Sequence, residues 1–143
     1  MSTLASTQKR YVLIVDDEDD IREIAGLSLE MTEGWRVAAV ESCLAGLELA
    51  RTSRPDVILL DVMMPDMDGP TGLTHLREDA RTRDIPVIFL TAKVHEGDVR
   101  KLLDLGVEGV ISKPFDPITL GARIREVLGW PAARAAEQTA RDV

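Results

Sequence analysis

The sequence contains little of what several common classes of protein require. Cys43 is the single cysteine among 143 residues, which excludes an intrachain disulfide and a thiolate zinc cluster. No apolar run approaches the length of a membrane span, and the polar segment 1–10 lacks the apolar centre of a secretory signal. These absences predict a protein of a reducing, cytoplasmic setting that does not bind a membrane.

Positive charge is also scarce. The chain has 17 Lys and Arg residues against 25 Asp and Glu residues, which gives a net charge of −8. Nucleic-acid binding needs clustered Lys and Arg, so we expect no direct contact with nucleic acid. Apolar residues make up 45% of the chain, and its length suits one domain with a real core.

Short apolar runs alternate with longer segments of helical period. We predict strands over 11–16, 36–40, 56–61, 86–91 and 108–112, and helices over 19–32, 43–53, 71–80, 95–105 and 116–128. This alternation is typical of βαβ units around a parallel sheet, which is an α/β fold. Gly129 and Pro131 form a helix stop. We therefore expect a folded domain over 10–129, a flexible N-terminus over 1–9 and a disordered tail over 130–143.

Four of the apolar runs end in polar residues of complementary chemistry. The first runs into Asp16 and Asp17, the second into Asp61, the third into Thr91 and the fourth into Lys113. The carboxyl ends of parallel strands share one edge of a sheet, so these side chains are expected to meet there. Three crowded carboxylates need a cation among them, and oxygen ligands suit Mg²⁺. A carboxylate can act as a nucleophile, and phosphoryl transfer mainly requires positioning and charge neutralisation.

With these motifs, the sequence resembles the receiver domain of two-component response regulators over residues 10–129. The matching motifs are Val15-Asp-Asp-Glu18, Asp61-Val-Met-Met-Pro-Asp-Met-Asp-Gly69, Thr91-Ala92 and Lys113-Pro-Phe115. The resemblance implies a doubly wound five-stranded parallel sheet, a (βα)5 flavodoxin-like fold with strand order 2-1-3-4-5. It also implies a cis peptide bond between Lys113 and Pro114.

The resemblance further implies the roles of the site residues. Asp61 would be the phosphoacceptor, with Thr91 and Lys113 binding the phosphoryl group. Mg²⁺ would be held by Asp17, Asp61 and the backbone carbonyl of Met63, and Asp16 would hold a metal-bound water. The phosphoryl donor would be a phosphohistidine on a histidine kinase or histidine phosphotransfer protein. The expected function is a stand-alone switch that catalyses its own phosphorylation and dephosphorylation and then binds a downstream target protein.

Two positions depart from the pattern of the family. Val110 stands where receivers commonly have an aromatic residue that couples to the Thr, and a Val side chain has no ring to swing inward. The segment 117–119 replaces the charged residues that usually begin the last helix in the DNA-binding branch. The sequence therefore supports the chemistry more strongly than it supports the usual aromatic switch or dimerisation through that helix.

Three other functions remain open at this point. Asp17-Glu18-Asp19 fits the D-x-D pattern of a metal-dependent phosphatase or mutase with an aspartyl nucleophile on the first strand. A flavin-binding carrier would need neutral hydroxyls and glycines in the first βα turn, where this chain has acidic residues over 16–20. The chain could also be a receiver fragment of a larger hybrid kinase or transcription regulator.

Overall fold

The structure is a computed structural model that describes residues 9–92 and 95–132. Its five strands are β1 (Tyr11–Val15), β2 (Arg36–Val40), β3 (Val57–Asp61), β4 (Val87–Thr91) and β5 (Gly109–Ser112). The helices are α1 (Asp19–Glu33), α2 (Cys43–Ser53), α3 (Gly69–Glu78), α4 (Glu96–Leu103) and α5 (Leu120–Leu128). All strand pairs are parallel, and the order is β2-β1-β3-β4-β5, so the expected fold class and strand order are confirmed.

The two faces of the sheet bury separate apolar clusters. Successive side chains of a strand point to opposite faces, so Leu13 joins the cluster under α2 and α3, whereas Ile14 joins the cluster under α1 and α5. The strands β3 and β4 are buried at every position, as expected when helices cover both faces of a parallel sheet. This double layer holds the carboxyl ends of the central strands in fixed positions.

Local hydrogen bonds explain where two helices begin. The helix α3 begins at Gly69, two residues before the prediction, because the Asp68 carboxylate accepts a hydrogen bond from the Thr71 N–H at 2.8 Å. The helix α5 begins at Leu120, four residues after the prediction. Asp116 instead holds a turn, in which its carboxylate accepts a hydrogen bond from the Ile118 N–H at 2.9 Å.

The end of α5 packs against the amino-terminal edge of the sheet. The Trp130 ring meets Trp35 edge to face, with 5.4 Å between the ring centroids, and the Arg10 guanidinium lies 4.2 Å from the centre of a Trp130 ring. The Trp130 N–H also donates to the Arg125 carbonyl, so this residue both caps α5 and covers an apolar patch. Most of the two predicted disordered ends, 1–8 and 133–143, lies outside the described residues. Among the residues that are described, no helix has the length and apolar character to cross a membrane.

Candidate active site

Three aspartates meet at the carboxyl edge of the sheet. Asp61 is the last residue of β3, and Asp16 and Asp17 directly follow β1, the neighbouring strand. One carboxylate oxygen from each of the three lies within 4.8 Å of the others. The side chains of Asp16 and Asp61 are buried, whereas Asp17 is exposed to solvent. The structure thus brings together the three carboxylates that the sequence analysis placed at one edge.

Lys113 enters this group from the other side, immediately after β5. Its Nζ lies 2.9 Å from Asp16 Oδ2, 3.4 Å from Asp61 Oδ1 and 2.9 Å from Glu18 Oε2. The Lys113 backbone N–H donates to the Thr91 carbonyl at 2.8 Å, which ties it to β4. The Lys113–Pro114 peptide bond is cis, as the resemblance implies. The ammonium group is therefore fixed against two buried carboxylates.

Thr91 is the last residue of β4, and its side chain is buried. It pairs in register with Ser112, the residue before Lys113. The expected positions of Thr91 and Lys113 on the same side of Asp61 therefore agree with the sheet order. Val110 pairs in register with Phe89 and packs, half-buried, against the cluster under α2 and α3. No aromatic side chain occupies that position of β5.

The electrostatics of the site favour an additional cation. Burial, followed by the charge of Asp16, raises the pKa of Asp61 to about 6 against the opposing effect of Lys113. Burial by itself would lower the pKa of Lys113, but its hydrogen bonds to Glu18 and Asp16 outweigh that effect and hold it above its ordinary value. The single ammonium group therefore neutralises only part of the negative charge of the carboxylates around it.

The donor set suits a hard divalent ion. Carboxylate oxygens such as those of Asp16, Asp17 and Asp61 are of the type that Mg²⁺ prefers, and the exposed Asp17 opens one side of the group to solvent. The Met63 N–H lies 3.4 Å from Asp61 Oδ1, which places the Met63 backbone beside the group. Metal ligation by the carbonyl of Met63 stays a prediction.

Sequence reasoning missed two acidic residues that organise the site. The side chain of Glu18 makes no capping hydrogen bond to α1 and instead binds Lys113. Asp66 lies in the loop after Asp61, and its carboxylate accepts hydrogen bonds from the Cys43 and Leu44 N–H groups at 3.2 and 3.1 Å.

Asp66 therefore connects the loop after Asp61 to the start of α2. Burial by itself would raise the pKa of Asp66, but hydrogen bonds from the Leu44 and Cys43 N–H groups lower it. The partners lie more than 20 residues apart, so no local pattern could have revealed this contact. For Glu18, its position directly after two site aspartates was the available signal.

Comparisons with known proteins agree with this geometry. The family model described as "Response regulator receiver domain" matches residues 12–125. The transcriptional regulatory protein CseB of Streptomyces avermitilis is 40% identical over 138 residues, which cover 92% of this chain and 57% of that protein. The phosphate regulon transcriptional regulatory protein PhoB of Escherichia coli is 37% identical, and the match covers 90% of this chain and 56% of that protein. The chain spans about half the length of these curated relatives.

Solved structures show the same likeness. The chemotaxis response regulator CheY4 of Vibrio cholerae has a TM-score of 0.78 and 29% identity, with 84% of this chain and 99% of that chain covered. The receiver domain of the sensor histidine kinase PA1611 of Pseudomonas aeruginosa has a TM-score of 0.75 and 27% identity. The match covers 85% of this chain and 98% of that chain. That structure is described as having a magnesium ion coordinated in the active-site cleft.

Proposed function

Because the chain belongs to the family of response regulator receiver domains, we propose that it accepts a phosphoryl group from a phosphohistidine onto Asp61 and signals by phosphorylation-dependent protein binding. The observation that carries the proposal is the contact of the Lys113 ammonium with the buried Asp16 and Asp61 carboxylates. A cation fixed at the end of β3, beside a carboxylate that can act as a nucleophile, is what phosphoryl transfer requires.

The transfer begins at a carboxylate oxygen of Asp61. That oxygen attacks phosphorus, an O–P bond forms, and the P–N bond of the phosphohistidine breaks. The bonding electron pair goes to the imidazole, which leaves as a neutral ring when its other nitrogen carries a proton. The raised pKa of Asp61, about 6, still leaves the carboxylate mostly ionised at neutral pH. The product is an acyl phosphate on Asp61.

Two further side chains receive the transferred group. The Lys113 ammonium donates to one phosphoryl oxygen, and the Thr91 hydroxyl at the end of β4 donates to another. Asp17, Asp61 and the Met63 carbonyl would hold Mg²⁺, and Asp16 would hold a water bound to it; when bound, the ion neutralises negative charge on the phosphoryl oxygens. The magnesium ion described for the similar PA1611 receiver supports this assignment.

Labelling by a small phosphodonor tests the assignment directly. Purified protein with phosphoramidate and Mg²⁺ should acquire one acid-stable, base-labile phosphoryl group, and Asp61→Asn should acquire none. Asp84→Asn, at an exposed acid in the turn before β4, is the matched control and should label normally. If Asp17→Ala abolished labelling while Asp61→Ala retained it, the phosphatase-like alternative with a nucleophile after β1 would replace the proposal.

A surface for the histidine-containing partner adjoins the site. The helix α1 begins two residues after Asp17. Ile24, Leu27 and Met31 lie on one side of this helix with exposed side chains. A protein donor must dock beside Asp61 to bring its imidazole into line, and this apolar stripe leads away from the site. We assign it to contact with a histidine kinase or histidine phosphotransfer protein.

The remaining parts of the proposal concern the context of the domain. The net charge of −8 supports protein binding over direct contact with nucleic acid by these residues, and the family supports a cytoplasmic location. The curated relatives are about twice as long, so the stand-alone arrangement stays a prediction. Sequencing of the complete reading frame tests it, and an appended DNA-binding or kinase segment would contradict it.

A further inference from the structure

We propose that Glu18 is a positioning residue that holds Lys113 in the unphosphorylated protein and competes with the phosphoryl group for its ammonium. The inference rests on the proposed function, because the competitor is a phosphoryl oxygen at Asp61. Glu18 acts only through Lys113 and is not a catalytic residue. Its expected effect is to weaken productive binding of a phosphodonor until the contact is released.

The ammonium of Lys113 is fully engaged in the structure. An ammonium has three N–H donors and no acceptor, and three carboxylates surround Nζ. The distances are 2.9 Å to Asp16, 2.9 Å to Glu18 and 3.4 Å to Asp61. The Lys113 side chain is only 10% exposed, so little solvent reaches it. A phosphoryl oxygen must therefore displace one of these partners.

Burial identifies the partner that leaves. The side chain of Asp16 is fully buried and that of Asp61 nearly so, whereas the side chain of Glu18 is 59% exposed. A buried carboxylate that loses its ammonium partner is left without compensation, but water can replace the ammonium at an exposed carboxylate. Glu18 is thus the exchangeable partner of Lys113.

The backbone of Glu18 is held independently of this contact. Its N–H donates to Asp16 Oδ1 at 2.9 Å, and the Arg22 guanidinium binds the Asp16 carbonyl at 2.8 Å. The side chain of Glu18 provides no cap to α1. A change confined to the side chain should therefore release Lys113 without disturbing the start of the helix.

The experiment measures how the labelling rate depends on phosphoramidate concentration at saturating Mg²⁺. Glu18→Ala should lower the half-saturating phosphoramidate concentration by about two- to fivefold, the range expected for one exposed ion pair, with the maximal rate nearly unchanged. Glu18→Gln keeps a hydrogen-bond acceptor but no charge and should lie between wild type and Glu18→Ala. The differences should shrink in high salt, since the pair is exposed on one side.

Asp20→Asn is the matched control, because it removes the same charge from the first turn of α1, where the side chain is exposed. It should behave like wild type. An equal effect of Asp20→Asn would show a general charge effect and overturn the inference. Wild-type kinetics for Glu18→Ala would also overturn the inference. If Asp61→Asn failed to label in the same experiments, the proposed function would still stand. Absence of labelling in the wild type would overturn both.

Discussion

Arg125 of α5 donates a hydrogen bond to Glu33, the last residue of α1, across 92 positions of sequence, with 3.0 Å between Nε and Oε1. The Glu33 carboxylate is buried, and α5 approaches it closely because residue 121 is a glycine. A Cβ at Gly121 would lie 2.4 Å from Glu33 Cγ. The pair therefore fixes the helix that carries the proposed docking stripe against the last helix of the domain.

Loss of this ion pair should destabilise the domain. Arg125→Met leaves a buried carboxylate without its partner and should lower the free energy of unfolding by about 1–3 kcal/mol. Adding Glu33→Gln to that variant should recover part of the loss, because the uncompensated charge is then gone. Urea denaturation at pH 7 measures both effects. Arg123→Met, at an exposed position of the same helix, is the control and should change little.

Removal of the Asp61 charge should stabilise the metal-free protein. The pKa of Asp61 is raised from 3.8 to about 6, so the folded state binds more protons than the unfolded state between these values. Its contribution to stability is therefore largest below pH 3.8 and is lost as the pH rises through 6. At pH 7–8 with a chelator, Asp61→Asn should be more stable than wild type by about 1–3 kcal/mol.

Most of that gain should disappear as the pH is lowered towards 4, where Asp61 is protonated in the folded state and is becoming protonated in the unfolded state. Denaturation of the two proteins across pH 4–8 provides the measurement. Mg²⁺ at pH 7 should raise the stability of the wild type more than that of Asp61→Asn, because a metal ligand is missing from the variant. A difference between the two proteins that did not vary with pH would contradict the assignment of the shift to Asp61.

Packing between α2 and α3 depends on the absence of a side chain at Gly72. A Cβ there would lie 2.3 Å from Cys43 Sγ, which is buried at the start of α2. Gly72→Ala should therefore destabilise the domain by about 1–3 kcal/mol, despite the better helix propensity of alanine. Cys43→Ala should rescue much of this loss, because it removes the clashing sulfur atom. Additive effects in the double-mutant cycle would show that the two residues do not contact.

The apolar stripe on α1 should matter for a protein donor and not for a small one. Leu27→Ser removes the central side chain of the stripe, which is 55% exposed. It should reduce phosphotransfer from a cognate phosphohistidine protein by about tenfold, a loss of ~1.4 kcal/mol that is ordinary for an interface residue. Labelling by phosphoramidate should be unchanged. Leu103→Ser, an exposed position on α4, is the control; an equal loss there would argue against docking on α1.

The sequence predicted the sheet well because its signals are local. Each strand was located to within one residue, since β-branched runs bounded by polar residues identify buried parallel strands without any knowledge of the partner. The order of the strands was not a local signal and came from the resemblance to a family. With that order, Asp16, Asp61 and Lys113 had to meet at one edge of the sheet.

The remaining features depend on contacts between distant segments. The contact of Glu18 with Lys113 spans 95 residues, and the position of Glu18 directly after two site aspartates does not identify Lys113 as its partner. The start of α5 was predicted too early because the spacing of the apolar residues does not reveal the turn at Asp116. That turn competes with the first turn of the helix. Side-chain partners of exposed acids could thus be found only from the folded chain.

The packing of Trp130 against Trp35 holds the end of α5 far from Asp61. Asp61 ends a strand at one edge of the sheet, whereas Trp130 lies at the opposite edge, and a five-residue strand spans about 16 Å. That distance is about twice the Debye length at physiological ionic strength. A phosphoryl charge on Asp61 is therefore largely screened from the Trp35–Trp130 pair. A response of this pair to phosphorylation would be transmitted by a shift of the packed helices, and it should depend little on salt.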